Sequence, residues 1–138
     1  MDVATAMLAD DETARLLGIE LIDAADGSAE VRLLVRPDLV NGLGVCHGGI
    51  MFTLADAAMA YASNAGNVRS LATSANIDFV RPAHIGDSLI ATATQRSKPG
   101  RSAVHDVTIV NNNNETVAVF RGRTLSVGGA IVGGEQPE

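Results

Sequence analysis

Aromatic side chains are almost missing from this chain: three Phe, one Tyr and no Trp in 138 residues. Its core must be assembled from Val, Ile, Leu and Ala, which pack through the faces of helices and strands rather than around large rings. Lysine is scarcer still. Lys98 is the only one, so nine of the ten basic residues are arginines. With sixteen acids the formal net charge is −6 and the pI about 4.9. That balance excludes the basic footprint of a nucleic-acid or anionic-membrane binder. Arginine's planar fork suits phosphate and carboxylate, so a local anion site stays open on an acidic body. The single cysteine, Cys46, excludes an intrachain disulfide and a Cys-based zinc cluster. No stretch reaches the roughly 18 apolar residues of a membrane span. The opening MDVATAMLADDE is acidic and has no basic segment before an apolar run, so no signal peptide is expected. The expectation is a cytoplasmic protein with one domain over residues 1–138 and no membrane or nucleic-acid partner.

What is present is strongly patterned. Residues 3–17 read as a short helix, with Gly18 at the position of a C-cap. The following stretch reads as a hairpin turning at Asp26-Gly27, and its second arm alternates Ala29, Val31, Leu33 and Val35 with polar residues until Pro37. One long helix is predicted over about 48–64, apolar almost all round and therefore enclosed by other structure. Residues 70–80, 87–97, 102–110 and 116–127 follow a period of two. In the first of these, Leu71, Thr73, Ala75, Ile77 and Phe79 fall on one face. The short links RPAHIG, KPGR and NNNNE predict antiparallel neighbours in every case. Residues 128–138 read as a flexible tail, being Gly-rich and acidic. The architecture expected is α+β: a long curved antiparallel sheet wrapped around one buried helix, with a small N-terminal helix. A single sheet around one helix leaves edges exposed, which predicts a homo-oligomer, either a dimer or a dimer of dimers.

The chemistry concentrates in NGLGVCHGGIMFTLADAAMAYASNAG, residues 41–66. Asp56 is the only acid in the enclosed helix, and helical spacing surrounds it with Phe52, Met59, Ala60 and Ser63. It either reaches solvent or an arginine, or it lacks a partner. A carboxylate without a partner in such a setting holds its proton more tightly, as catalytic acids and bases often do. Gly48-Gly49 at the helix start leave N–H groups with no intrahelical acceptor, a place for an anion or a developing oxyanion. Asn41 and His47 add polar groups beside them, although Asn41-Gly42 also fits a plain turn and His47 a helix-entry histidine bonded to backbone. Cys46 reads as a small buried residue. His84 and His105 show no metal-ligand spacing with His47, so neither metal nor cofactor is expected. Gly48 and Asp56 are eight residues apart, about 12 Å along a helix. A reacting carbonyl needs both within about 3–3.5 Å. Two antiparallel copies about a two-fold axis meet that demand; one copy does not.

These residues resemble a known family. Asn41, His47-Gly48-Gly49 and Asp56 form the pattern N-x(5)-HGG-x(7)-D of the hotdog-fold acyl-CoA thioesterases, in particular the phenylacetate-degradation (PaaI-like) branch. The resemblance continues through IDFVRPAHIGD (77–87), KPGRSAVHDVTIVN (98–111) and TVAVFRGRTLSVGG (116–129), nearly the whole chain after the N-terminal helix. It implies hydrolysis of an aryl- or medium-chain acyl-CoA to a free acid and CoA. By the same resemblance Asp56 is the nucleophile or general base, the Gly48 N–H holds the oxyanion, Asn41 orients water or carboxylate from the other chain, and His47 fixes the loop or the thioester carbonyl. Gly49 and Thr73 would contact the substrate, and Arg81 and Arg101 would meet the CoA phosphates ahead of Arg121 and Arg123. The residue after the acid is Ala57, where phenylacetyl-type members often carry Thr. Two alternatives share the fold: a hydratase or dehydratase on a CoA or acyl-carrier-protein ester, and an acyl-CoA-binding protein without catalysis.

Overall fold

The computed structural model describes residues 2–133. Two short helices, α1 (Val3–Ala9) and α2 (Glu12–Leu17), precede the hairpin of β1 (Glu20–Ala25) and β2 (Ser28–Leu34). A 3-10 turn over Pro37–Leu39 leads to the glycine-rich loop and to α3 (Gly48–Asn64). Strands β3 (Ser70–Phe79), β4 (Ser88–Ser97), β5 (Ser102–Val110) and β6 (Thr116–Ser126) complete the chain. All six strands form one antiparallel sheet in the order β1-β2-β4-β5-β6-β3. Helix α3 lies in its concave side. Alanine supplies the fit: Ala55, Ala58 and Ala62 of the helix and Ala29, Ala91, Ala93 and Ala118 of the sheet are all buried. Such small side chains let helix and strands approach closely, and alanine also has the highest helix propensity. Gly122 of β6 leaves the room that Met59 of α3 occupies.

Three sequence expectations need correction. The single helix over residues 3–17 is two helices, because Asp2 and Asp11 each cap a separate start by accepting from the N–H of Thr5 and of Ala14, both at 2.9 Å. Gly18 does take the left-handed conformation of a C-cap, with φ +76°. Secondly, β3 and β4 are not neighbours. The RPAHIG link instead crosses the open end of the sheet, where the Ala83 carbonyl accepts from Cys46 N–H at 2.8 Å and Gly86 N–H donates to Val35 at 2.9 Å. It delivers β4 beside β2, while β3 pairs with β6 and becomes a free edge, at the opposite side of the sheet from β1. Thirdly, the register of β3 against β6 shifts between Ala72 and Ser74. The bulge at Thr73 inserts one extra residue and so changes face. Ala75, Ile77 and Phe79 pair with the inward residues Gly122, Phe120 and Ala118, whereas Leu71 pairs with the exposed Leu125.

At its far end α3 is clamped to β3. Asn64 accepts from Ser70 N–H at 2.8 Å and donates to the carbonyls of Ala60 and Ser70. Asn67 then holds residues that follow β6, accepting from the N–H groups of Ile131 and Val132 at 3.0 Å and donating to the Val132 carbonyl at 2.8 Å. Of the stretch read as a tail, 134–138 lie outside the described residues. Among the described residues, no helix is long and apolar enough to cross a membrane.

Candidate active site

The loop before α3 is built by its own asparagine. Asn41 Oδ1 accepts from Leu43 N–H at 2.9 Å and from Val45 N–H at 3.3 Å, and Asn41 N–H donates to the Val45 carbonyl at 2.8 Å. Gly44 closes the turn with φ +81°, a conformation that disfavours other residues. Val40 and Cys46 bridge across the loop's neck. Cys46 is 3% exposed, and burial pushes its thiol up to about 11, so it is an inert packing residue. His47 is the N-cap residue of α3, with an exposed ring that makes no capping hydrogen bond. Its N–H donates to Leu39, and its carbonyl accepts from Ile50 and Met51. The N–H groups of Gly48 and Gly49 find no acceptor among the described residues. They are the free donors at the positive end of a 17-residue helix.

Gly48 is also a point of close approach. A Cβ there would stand 2.8 Å from Cζ of Phe79, whereas one on Gly49 would meet open space. The Phe79 ring, carried by the free-edge strand, therefore lies over the first turn of α3. Phe52 and Phe120 meet edge to face with centroids 5.4 Å apart. All three phenylalanines of the chain thus lie on the side of the sheet that holds α3 and its acid.

Asp56 is half-buried in the middle of α3 and has no hydrogen-bond or ion-pair partner among the described residues. Burial raises its proton affinity above that of an ordinary carboxylate, and the charge of Asp11 adds to the effect. Asp11 was invisible as a site residue in the sequence, since it lies far upstream in the N-terminal helices. In the fold its carboxylate accepts from Tyr61 Oη at 2.9 Å. One turn and two turns beyond Asp56, Ala60 and Asn64 line a groove of about 620 Å³ between the N-terminal helices and the start of β3. Two smaller hollows lie on the outer face of the sheet, around Arg121.

The remaining candidates are dispersed. Thr73 sits at the bulge of β3 and donates to the Arg123 carbonyl at 3.4 Å. Arg81 follows the end of β3 beside α3's first turn, and there donates to the Thr116 carbonyl and lies 3.6 Å from Glu115. Arg101 precedes β5 at the opposite end of the sheet, where its carbonyl accepts from Ser126 N–H. Its guanidinium has no partner among the described residues. Ten residues of β3 separate the two ends, roughly 30 Å. Within one chain, then, Arg81 and Arg101 do not serve the same phosphate. Arg121 is committed to Asp106, at 2.6 Å and 2.9 Å.

Beneath the helix runs a buried polar chain. His105 is fully buried; its Nε2 pairs with Thr124 Oγ1 at 3.2 Å, and its Nδ1 has no partner among the described residues. Thr124 accepts from Ser63 Oγ at 2.9 Å, and Ser63 bonds in turn to Ser70 Oγ. The chain fastens the centre of the sheet to the helix and to the root of the edge strand.

Comparison with known proteins places this arrangement. The thioesterase superfamily model matches residues 43–118, from the glycine loop into β6. The acyl-coenzyme A thioesterase PaaI of Escherichia coli is 43% identical over 130 residues, covering 94% of this chain and 93% of that protein. The solved structure of the E. coli PaaI protein from the phenylacetic acid degradation operon superposes with a TM-score of 0.90, at 42% identity and 92% coverage of each chain. A mutant of the phenylacetic acid degradation protein PaaI of Thermus thermophilus superposes with a TM-score of 0.81, at 32% identity, covering 85% of this chain and all of that one.

Proposed function

The chain belongs to the thioesterase superfamily and is an acyl-CoA thioester hydrolase; from that premise we propose that it cleaves aryl- or medium-chain acyl-CoA, phenylacetyl-CoA among them, at a site that two copies complete. The observation that carries this reading is the separation of the free Gly48 N–H from the half-buried, partnerless Asp56 by about 12 Å of one helix. A second α3, antiparallel about a two-fold axis, brings the Gly48 N–H of one chain to the Asp56 carboxylate of the other. The free edge of β3 supports such pairing: ten residues long, with Leu71 62% and Phe79 51% exposed, it is the kind of edge that proteins rarely leave bare. Antiparallel pairing of two β3 edges would also bring Arg101 of one copy toward Arg81 of the other, so that CoA phosphates meet arginines from both.

In the reaction, Asp56 takes a proton from water, and the hydroxyl adds to the thioester carbonyl carbon. The oxyanion is held by Gly48 N–H, with Gly49 N–H beside it, and losing one such donor costs about 2.7–4 kcal/mol of barrier. Asn41, with Nδ2 free while Oδ1 holds the loop, orients the water; the exposed His47 ring faces the thioester. When the intermediate collapses, the C–S bond breaks, and the CoA thiolate takes the proton back from Asp56. The products are the free acid and CoA. A raised proton affinity suits Asp56 to this base role better than to direct attack. The three phenylalanines along the Asp56 face suit an apolar or aromatic acyl group, and Ala57 leaves that face wider than a threonine would. We assign residues 1–138 to one domain and place the protein in the cytoplasm, where acyl-CoA is found.

Thiol release from a panel of aryl- and medium-chain acyl-CoAs tests the reading. Wild-type turnover on at least one of them is expected, with loss of about a thousandfold or more in Asp56→Asn. Equal turnover by the two proteins would remove Asp56 from the chemistry. A single turnover in ¹⁸O-water separates the two attack modes: label in the released acid is expected, and label in Asp56 instead would make it the nucleophile.

A further inference from the structure

Leu43 is the most exposed large apolar side chain described, at 88%. Its position is not accidental looseness. Both asparagine hydrogen bonds, the Gly44 turn and the Val40–Cys46 bridge hold the loop that projects it. Leaving a leucine in water forgoes the favourable transfer that burial would supply. Val68, Leu71, Phe79 and Val80, all exposed, line the edge of β3 and its extensions from end to end.

The two-fold arrangement fixes where Leu43 goes. With Gly48 of one copy opposite Asp56 of the other, the loop that precedes Gly48 runs on along the second helix, past Asp56 toward Ala60 and Asn64. Those two residues floor the groove of about 620 Å³, a volume ordinary for a small-molecule pocket. Met7, Leu71 and Ile131 add apolar wall. Its rim carries Asp10, Asp11 and Glu12 against Arg69 alone, three carboxylates to one guanidinium. That field repels the polyphosphate end of CoA, so the neutral acyl end is the part that fits.

We propose that Leu43 of one copy seats over the groove of the other and sets the length and width of acyl group that the adjoining Asp56 hydrolyses. Leu43 is then a specificity-determining residue acting in trans. The inference rests on the two-copy thioesterase reading and goes beyond it by assigning the acyl chamber and its lid.

The test compares butyryl-, hexanoyl-, octanoyl- and phenylacetyl-CoA. Leu43→Trp should lower kcat/KM for octanoyl- relative to butyryl-CoA by about tenfold or more, and Leu43→Ala should raise that ratio by roughly three- to tenfold. Mixed dimers isolated by two tags then assign the lid to a chain. When Asp56→Asn and Leu43→Trp sit on one chain beside a wild-type partner, the surviving Asp56 faces the Trp loop, and the Trp ratio is expected. With the substitutions on separate chains, the surviving site faces Leu43, and the wild-type ratio is expected. The reverse pattern, or one constant ratio across wild type, Leu43→Ala and Leu43→Trp, overturns the proposal while thiol release leaves the thioesterase reading standing. A wild type inert on every acyl-CoA overturns both.

Discussion

Gly48 and Phe79 fit together only because residue 48 has no side chain: its Cβ would meet the ring at 2.8 Å. The ring is the far end of a half-exposed side chain, so it can swing away without disturbing the sheet. Gly48→Ala should therefore fold with a melting temperature near wild type, yet lose kcat by about ten- to hundredfold as the ring or the helix start is displaced. Truncating the ring should recover part of that loss. Kinetics on Gly48→Ala, Phe79→Ala and the double variant would show a coupling of about 0.5–3 kcal/mol. Simple additivity would mean that the contact does not matter to the reaction.

Asp56 should oppose stability and activity. Its folded-state proton affinity is raised, first by burial and then by the Asp11 charge. The stability it contributes is present below the ordinary carboxylate pKa of 3.8 and is lost as pH rises through the raised folded value. At neutral pH, Asp56→Asn should therefore melt about 2–6 °C higher than wild type, the difference closing below pH 4. Calorimetry across that range decides it; an unchanged or lower melting temperature at pH 7 counts against a desolvated carboxylate.

As the proposed base, the same group should set the acid limb of the rate. Activity needs the carboxylate form, so kcat/KM should fall as pH drops through a pKa above the ordinary value. Asp11→Asn keeps a competent helix cap while removing the charge, and should move that limb to lower pH. A limb that stays in place would show that Asp11 does not act on Asp56.

Two inactive proteins should make an active one. If Asn41 of one chain serves Asp56 of the other, mixing Asn41→Ala with Asp56→Asn gives mixed dimers holding one intact site. Random exchange should restore about a quarter of wild-type activity. Activity that stays at the sum of the separate variants would place both residues in one chain's site.

Much of this was legible in sequence, and the boundary is physical. The limits of α3 follow from alanine propensity between a glycine pair and an asparagine, and they match the residues observed. The strands followed from alternation. What local pattern did not carry is who lies beside whom. The RPAHIG link is short enough for a hairpin, yet hydrogen bonds from Cys46 and to Val35 carry it across the sheet's open end. The Thr73 bulge reverses the facing of Leu71, and alternation alone contains no sign of it. In the site, Asn41, His47, Gly48, Gly49 and Asp56 stood out because they share one stretch. Asp11, Phe79 and the groove were missed because they arrive from distant segments. The count of aromatics says nothing of their placement, and the fold gathers the three phenylalanines on one side.

His105 should make the fold acid-sensitive. Burial, with help from Lys98, lowers its proton affinity below the ordinary value of 6.5. Its contribution is present above pH 6.5 and is lost as pH falls through the depressed folded value. Urea midpoints should decline between pH 6.5 and 5 in wild type and decline less in His105→Gln. Equal slopes would assign the acid sensitivity elsewhere.

The groove beyond Asp56 has walls of unequal commitment. Its floor belongs to α3, which also carries Asp56 and the free N–H groups of Gly48 and Gly49. Its sides come from α1, α2 and their junction, from Ser70 and Leu71 at the start of β3, and from Ile131, anchored through Asn67. Substitutions there can reshape the chamber while the helix and its packing against the sheet stay as they are. Under the two-copy reading, wall residues such as Met7 and Ile131 can therefore vary while Asp56 and the Gly48 N–H stay in place.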